Sequence, residues 1–286
     1  MSEGCRCACC DRLRLASSNL SWIATEPLVN FFDPAAAVFY ERLVSGGYEP
    51  DLLLNVLPAH RILYVVVPKA ASTRIRQTLA RVAGRRIRSL KPSRRLQFSG
   101  PHGPRSMTKG SFFRFATDPA TLRFSFVRNP YARAVSCWAD KFRGKPLVAG
   151  DYFVDLYLAV RGELVPGLPA GTDRTLTFAD FVVFLAAVAN SRCDIHFQVQ
   201  DDILSMPGIE LDFVGKVESF ARDFARVLDH VDADAEVRGE AAAPVNESSH
   251  DHWPAYYTPK LADRIYRAYE RDFDRFAYPR ALAGIA

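Results

Sequence analysis

A chain of 286 residues is long enough to bury a sizeable core, and 49% hydrophobic with 24% charged residues is the balance of an ordinary globular protein. A formal net charge of +5 suits an anionic small molecule or glycan and does not by itself argue for nucleic acid. The longest apolar run, Phe181 to Ala189, is too short to span a bilayer, so no transmembrane segment is expected and only peripheral membrane contact stays open.

Four of the six cysteines, Cys5, Cys7, Cys9 and Cys10, crowd the N-terminus. They read either as a reduced tail or as part of a zinc site, although no second Cys or His pair follows closely. Arg6, Arg12 and Arg14 are not followed by an apolar h-region, so no signal peptide is read there. Residues 1–55 are expected to be a variable, partly disordered lead-in, within which Phe39 and Leu43 mark one short helix ended by Gly46 and Gly47. Residues 56–286 are expected to form a single domain.

Arg61 to Val67 is an almost unbroken Val- and Ile-rich run, the mark of a buried strand. It stops at Pro68, and from Thr73 onward Ile75, Leu79 and Val82 recur at helical spacing until Gly84. A strand, a tight loop and a helix N-terminus gather backbone N–H groups around one point, and the helix dipole adds to their preference for negative charge. Lys69 contributes a mobile cation there, and Ser72 and Thr73 contribute hydroxyl donors. The segment from Arg81 to Arg114 is basic and turn-rich, either a solvated connection or a wall that attracts an acidic acceptor.

Arg123 to Arg128 gives a second strand, and Pro130 opens a helix whose apolar face is Tyr131, Val135, Trp138 and Phe142. Gly144 to Thr175 reads as loop with a short apolar turn near Tyr152 to Leu158, and Thr177 to Ala189 as a mostly buried helix. Leu211 to Val214 is a third strand candidate, followed by a helix from Glu218 to Val231. Asp232 to Val245 reads as a mobile excursion, and Pro259 to Phe273 as a last helix with Tyr266, Tyr269 and Phe273 on one face. Repeated strand–turn–helix units imply an α/β fold of three layers, a P-loop-like fold with a central parallel sheet flanked by helices.

Two motifs carry chemistry. The first is PKAAST, Pro68 to Thr73, which lacks the Gly-Lys-Ser/Thr of a Walker A loop. The second is RNPYARAVS, in which Arg128 ends a strand and Ser136 lies about two turns into the next helix. An arginine fork with a hydroxyl suits a phosphate monoester, and parallel sheets bind ligands at the carboxyl ends of their strands.

PKAAST resembles the 5′-phosphosulfate loop of sulfotransferases that use 3′-phosphoadenosine 5′-phosphosulfate (PAPS). RNPYARAVS is similar to the 3′-phosphate motif of Golgi-type carbohydrate sulfotransferases. The likeness to the chondroitin/dermatan branch continues in Ile195 to Gln200, Asp212 to Glu218, Asn246 to Ser248, Tyr257 to Pro259 and Tyr269 to Phe273. It covers about Ile62 to Tyr278. The Golgi enzymes carry an N-terminal anchor and lumenal disulfides, and neither is read here, so a cytoplasmic enzyme is expected.

The resemblance implies transfer of a sulfuryl group from PAPS to a hydroxyl of a carbohydrate or glycoconjugate, the acceptor being an acidic glycan if the arginine-rich surface bears on it. It implies that the backbone of Ala70, Ala71, Ser72, Thr73 and Arg74 holds the 5′-phosphosulfate, that Lys69 assists the leaving oxygen, and that Arg128 and Ser136 hold the 3′-phosphate. No metal is expected, because lysine and backbone dipoles already supply a positive field. His102, in the Gly- and Pro-rich stretch between the two motifs, is the first choice as general base, with His196 as the other. A P-loop-like small-molecule kinase and an inactive PAP- or glycan-binding homologue are the competing readings. A glycosyltransferase would have only Asp232-Ala-Asp234 as its metal motif.

Overall fold

The computed structural model describes residues 33–84, 104, 107–147, 151–164, 175–190, 194–242 and 253–282. The chain divides into two compact units. The first comprises Met1–Ser21, Asn129–Val199 and Ser248–Ala286; the second comprises Trp22–Arg128 and Gln200–Glu247.

The second unit holds a four-stranded sheet in the order β1 (Leu54–Leu57), β2 (Ile62–Val65), β3 (Leu122–Val127) and β4 (Phe213–Lys216). β2, β3 and β4 run parallel, and β1 turns back antiparallel along the edge of β2. The expected parallel sheet is therefore present with one further, antiparallel edge strand, which straddles the boundary expected between the lead-in (1–55) and the domain (56–286). On the sheet itself, Ile62, Tyr64 and Val66 alternate with residues of the opposite face, as do Leu122, Phe124 and Phe126. Tyr64 and Phe124 pair in register with their rings stacked, centroids 5.0 Å apart.

That face is covered by α3 (Ser72–Val82), α9 (Phe220–His230) and α10 (Ala235–Ala242), which contribute Ile75, Leu79, Phe220, Phe224, Val227, Leu228, Val237 and Ala241. The helix α10 lies where a mobile excursion was expected. Val237 and Ala241, four residues apart, place one apolar stripe on the core, and Arg81 of α3 pairs with Glu240. The same unit contains α1 (Pro34–Ser45), capped by the Asp33 carboxylate and ended at Gly46, then α2 (Pro50–Leu53), α4 (Lys109–Thr117) and α8 (Gln200–Leu204). Phe39 and Tyr40 of α1 meet Phe112 of α4 with ring centroids 5.9 and 5.7 Å apart.

The first unit is helical: α5 (Pro130–Lys141), α6 (Tyr152–Leu164), α7 (Phe178–Val188), α11 (Pro259–Ala268) and α12 (Glu270–Arg275). α5 starts as its sequence dictates, with Asn129 accepting the Tyr131 N–H and proline in the first turn. Its Tyr131, Val135 and Trp138, and Phe142 at its C-cap, are all buried. α6 is longer than the short turn expected. The expected final helix breaks at Tyr269, whose hydroxyl donates to the Phe197 carbonyl at 2.7 Å. No helix among the described residues is long and apolar enough to cross a membrane.

Candidate functional site

The loop after β2 reaches its helix without a glycine. Val66 and Val67 continue buried beyond the strand, Pro68 to Ala71 turn, and α3 begins at Ser72. Two non-glycine residues in this turn have left-handed backbones, Lys69 at φ 68° and Ala71 at φ 57°. For L-residues this region costs about 1–2 kcal/mol each, and such outliers concentrate where a ligand loop demands one shape. Ala71 is the N-cap of α3 and offers no side-chain acceptor. The first-turn amides, which lack partners within any helix, are thus left uncapped by side chains at the carboxyl end of β2. Ala70 is fully buried, Lys69 and Ser72 are half-buried, and Thr73 is exposed.

Arg74 offers this loop its backbone rather than its charge. Its guanidinium lies 4.5 Å from the Phe220 ring centroid and donates to the Ala241 carbonyl, so the side chain is committed to α9 and α10.

Arg128 directly follows β3, the neighbour of β2, so Lys69 and Arg128 both lie beyond the carboxyl ends of adjacent parallel strands. The β3 side is built around Gly215. Paired with Phe126 across β3 and β4, it has no side chain where a Cβ would stand 2.5 Å from the Phe126 ring. Ser125, fully buried, donates to the Val65 carbonyl at 2.7 Å and ties β3 to β2 near their ends. The Arg128 N–H donates to the side-chain oxygen of Gln200 at 2.9 Å, and the Gln200 amide nitrogen donates back to the Arg128 carbonyl at 2.9 Å.

Of the other expected site residues, Ser136 is half-buried on α5 in the first unit, and His102 lies outside the described residues. His196, the alternative base, sits in a turn of the first unit. Its Nδ1 is 2.7 Å from the Asp194 carboxylate, and its backbone N–H donates to the same oxygen at 2.8 Å. Burial opposes the charge on Asp194, but the hydrogen bonds and charge of His196 outweigh it and hold the carboxyl below its ordinary value. Gln200 opens α8 after this turn, so His196 and Gln200 do not share one helical face.

Sequence reading missed Arg133. It is buried on α5, donating to the Gln198 carbonyl at 2.7 Å and to the carbonyls of Ile195 and His196 at 3.2 and 3.3 Å. One guanidinium thereby satisfies three carbonyls of the His196 turn. The sequence offered no signal for it, because at helical spacing Arg133 falls opposite the apolar face of Tyr131, Val135, Trp138 and Phe142. Among the described residues no group of three or more His, Cys, Asp or Glu side chains could hold a metal ion.

The chain is 29% identical to human carbohydrate sulfotransferase 14 over 247 residues, which are 82% of this chain and 62% of the human protein. It is 25% identical to the zebrafish (Danio rerio) carbohydrate sulfotransferase 14 over 230 residues, 77% of this chain and 60% of that protein. With mouse carbohydrate sulfotransferase 8 it shares 26% over 238 residues, 79% of this chain and 56% of the relative. The chain thus spans about three-fifths of the length of the curated relatives it matches. No solved structure matches it significantly. The family model described as "Sulfotransferase family" matches residues 53–279, a span that takes in all four strands and both anion-loop candidates, and the chain belongs to that family.

Proposed function

We propose that this protein transfers a sulfuryl group from PAPS to a hydroxyl of a carbohydrate or glycoconjugate. The observation that carries the reading is the glycine-free turn at Lys69 and Ala71, which opens onto a helix start without a side-chain cap, beside the strand that Arg128 directly follows. Membership of the sulfotransferase family and likeness to proteins named carbohydrate sulfotransferases support it. The donor set fits a nucleotide that carries one anionic group at each end of its ribose. Uncapped amides and a lysine suit the phosphosulfate, and an arginine after the next strand suits the 3′-phosphate.

In this reading the amides of Ala70 to Arg74 bind the 5′-phosphosulfate through the backbone and the helix dipole. Lys69 donates to the oxygen that bridges phosphorus and sulfur, where negative charge grows as PAP departs. Arg128 and Ser136 bind the 3′-phosphate. The acceptor hydroxyl attacks sulfur in line as the bridging S–O bond breaks, and its proton passes to His102. His196, already oriented through Nδ1 by Asp194, is the other candidate for that proton. An acidic glycan is the acceptor class proposed, from the basic stretch between the motifs. The compartment proposed is the cytoplasm.

The test is calorimetry with PAP, AMP, ADP and ATP on the wild type and on Arg128→Ala. Binding that requires the 3′-phosphate and weakens by about 10- to 100-fold in the variant is expected, the range for losing one or two charge-assisted hydrogen bonds. Equal affinity for ATP, or no effect of the substitution, would sink the reading and favour a kinase.

A further inference from the structure

The β3·β4 ladder ends at the pair Val127 and Lys216, one residue short of Arg128. Beyond it, a single side-chain amide takes over. Gln200 accepts from the Arg128 N–H and donates to the Arg128 carbonyl, both at 2.9 Å, which is the two-way exchange a neighbouring strand would otherwise make. Gln200 is 0% exposed, so water does not compete for either bond. The helix it opens is itself anchored. The Tyr48 hydroxyl lies 2.9 Å from the Asp202 carbonyl on α8 and 3.0 Å from that of Ser205 just past its end, one proton shared between two acceptors.

A glutamine that merely satisfied two buried polar groups could sit at the end of any strand. This one clamps both peptides that flank the residue proposed to read the 3′-phosphate. Rotation about the backbone bonds at its Cα would swing a long side chain through a wide arc, so fixing the Arg128 N–H and the Arg128 C=O, which belong to the two peptides flanking that Cα, fixes where the guanidinium starts. We infer that Gln200 is a positioning residue that sets the aim of Arg128 and thereby the preference for a nucleotide bearing a 3′-phosphate. The inference rests on the PAPS reading above.

The experiment compares PAP with 5′-AMP by calorimetry on the full chain, for wild type, Gln200→Met, Gln200→Glu and Arg128→Ala, with thermal melts to confirm folding. The quantity read is the ratio of the two dissociation constants. Methionine keeps the shape and removes both hydrogen bonds. It is expected to lower the preference for PAP by about tenfold while AMP affinity stays within about twofold, as two modest hydrogen bonds would dictate. Glutamate keeps an acceptor for the Arg128 N–H but turns a carboxylate oxygen against the buried Arg128 carbonyl, so its loss of preference is expected to be at least as large. If Gln200→Met does not fold, Gln200→Glu decides by the same ratio.

Suppose the wild-type preference collapses in Arg128→Ala, yet persists in the folded Gln200 variants or both nucleotides weaken equally in them. Gln200 is then structural only, and the inference is overturned while the cofactor reading stands. If the wild type shows no preference, or Arg128→Ala retains it, the cofactor reading falls and takes the inference with it.

Discussion

Pro68–Ala71 and Arg128 follow adjacent parallel strands of the same sheet, yet their backbones are held by different means. The first turn is held locally. Two left-handed residues, the Ala70 N–H donating to the Val67 carbonyl at 3.3 Å and the start of its own helix shape it. Arg128 is held from a distance, by a glutamine 72 residues further on. A local device stores strain and shapes backbone amides, whereas a remote one fixes the backbone of a single residue and so aims its side chain. That division matches what each is proposed to grip: a phosphosulfate contacted by several amides, and a phosphate contacted by one guanidinium.

The comparison breaks most sharply at Lys69. Lys69→Ala is expected to lower kcat by about 100- to 1000-fold, the scale for losing one preorganised donor to a developing charge. PAP affinity should fall far less, because the amides remain. Initial rates with labelled PAPS, set beside PAP calorimetry, separate the two effects. A loss seen only in KM would make Lys69 a binding residue and bring the two loops closer in kind.

Gly215→Ala addresses the remote side. The added methyl would stand 2.5 Å from the Phe126 ring, forcing β3 and β4 apart one residue before the ladder ends. A destabilisation of about 1–3 kcal/mol is expected from overpacking, read by denaturant melts. The preference for PAP over AMP should fall with it, while backbone-mediated affinity for AMP changes less. An unchanged melt would mean that the ring has room to turn.

The smallest effect sharpens the local side. Ala71→Gly removes the steric cost of φ 57° and adds chain entropy to the unfolded state, so the net gain is expected to be only about 0.5–1 kcal/mol. A loss of stability would show that Ala71 is not strained where it stands.

The same contrast explains what could be read from the residues alone. β2, the turn and α3 were legible because an apolar run, a proline and a helical period lie in one short stretch. α5 was legible for the same reason, through Asn129, Pro130 and its four buried apolar positions. The Gln200 amide was not, since nothing near position 200 in the sequence refers to position 128. α10 escaped because its apolar stripe is only Val237 and Ala241 in an Ala- and Glu-rich segment, and only the sheet and α3 reveal what they pack against. The break at Tyr269 depends on a hydroxyl reaching Phe197, again a distant partner. β1 escaped because its apolar residues Leu54, Val56 and Leu57 follow directly on α2.

Tyr48 bears on how this protein could be shortened. It lies outside the span 53–279 shared with the family model, yet its hydroxyl anchors the helix that presents Gln200. At the other end Arg280 is also outside that span, and its carbonyl accepts the Tyr131 hydroxyl at 2.9 Å. A fragment cut to the shared span would lose both anchors, and a melting point measured on it would describe a weaker molecule than the whole chain. Boundaries for expression and for transplanting the catalytic segment into another scaffold therefore belong no later than Asp33, which caps α1, and no earlier than Leu282.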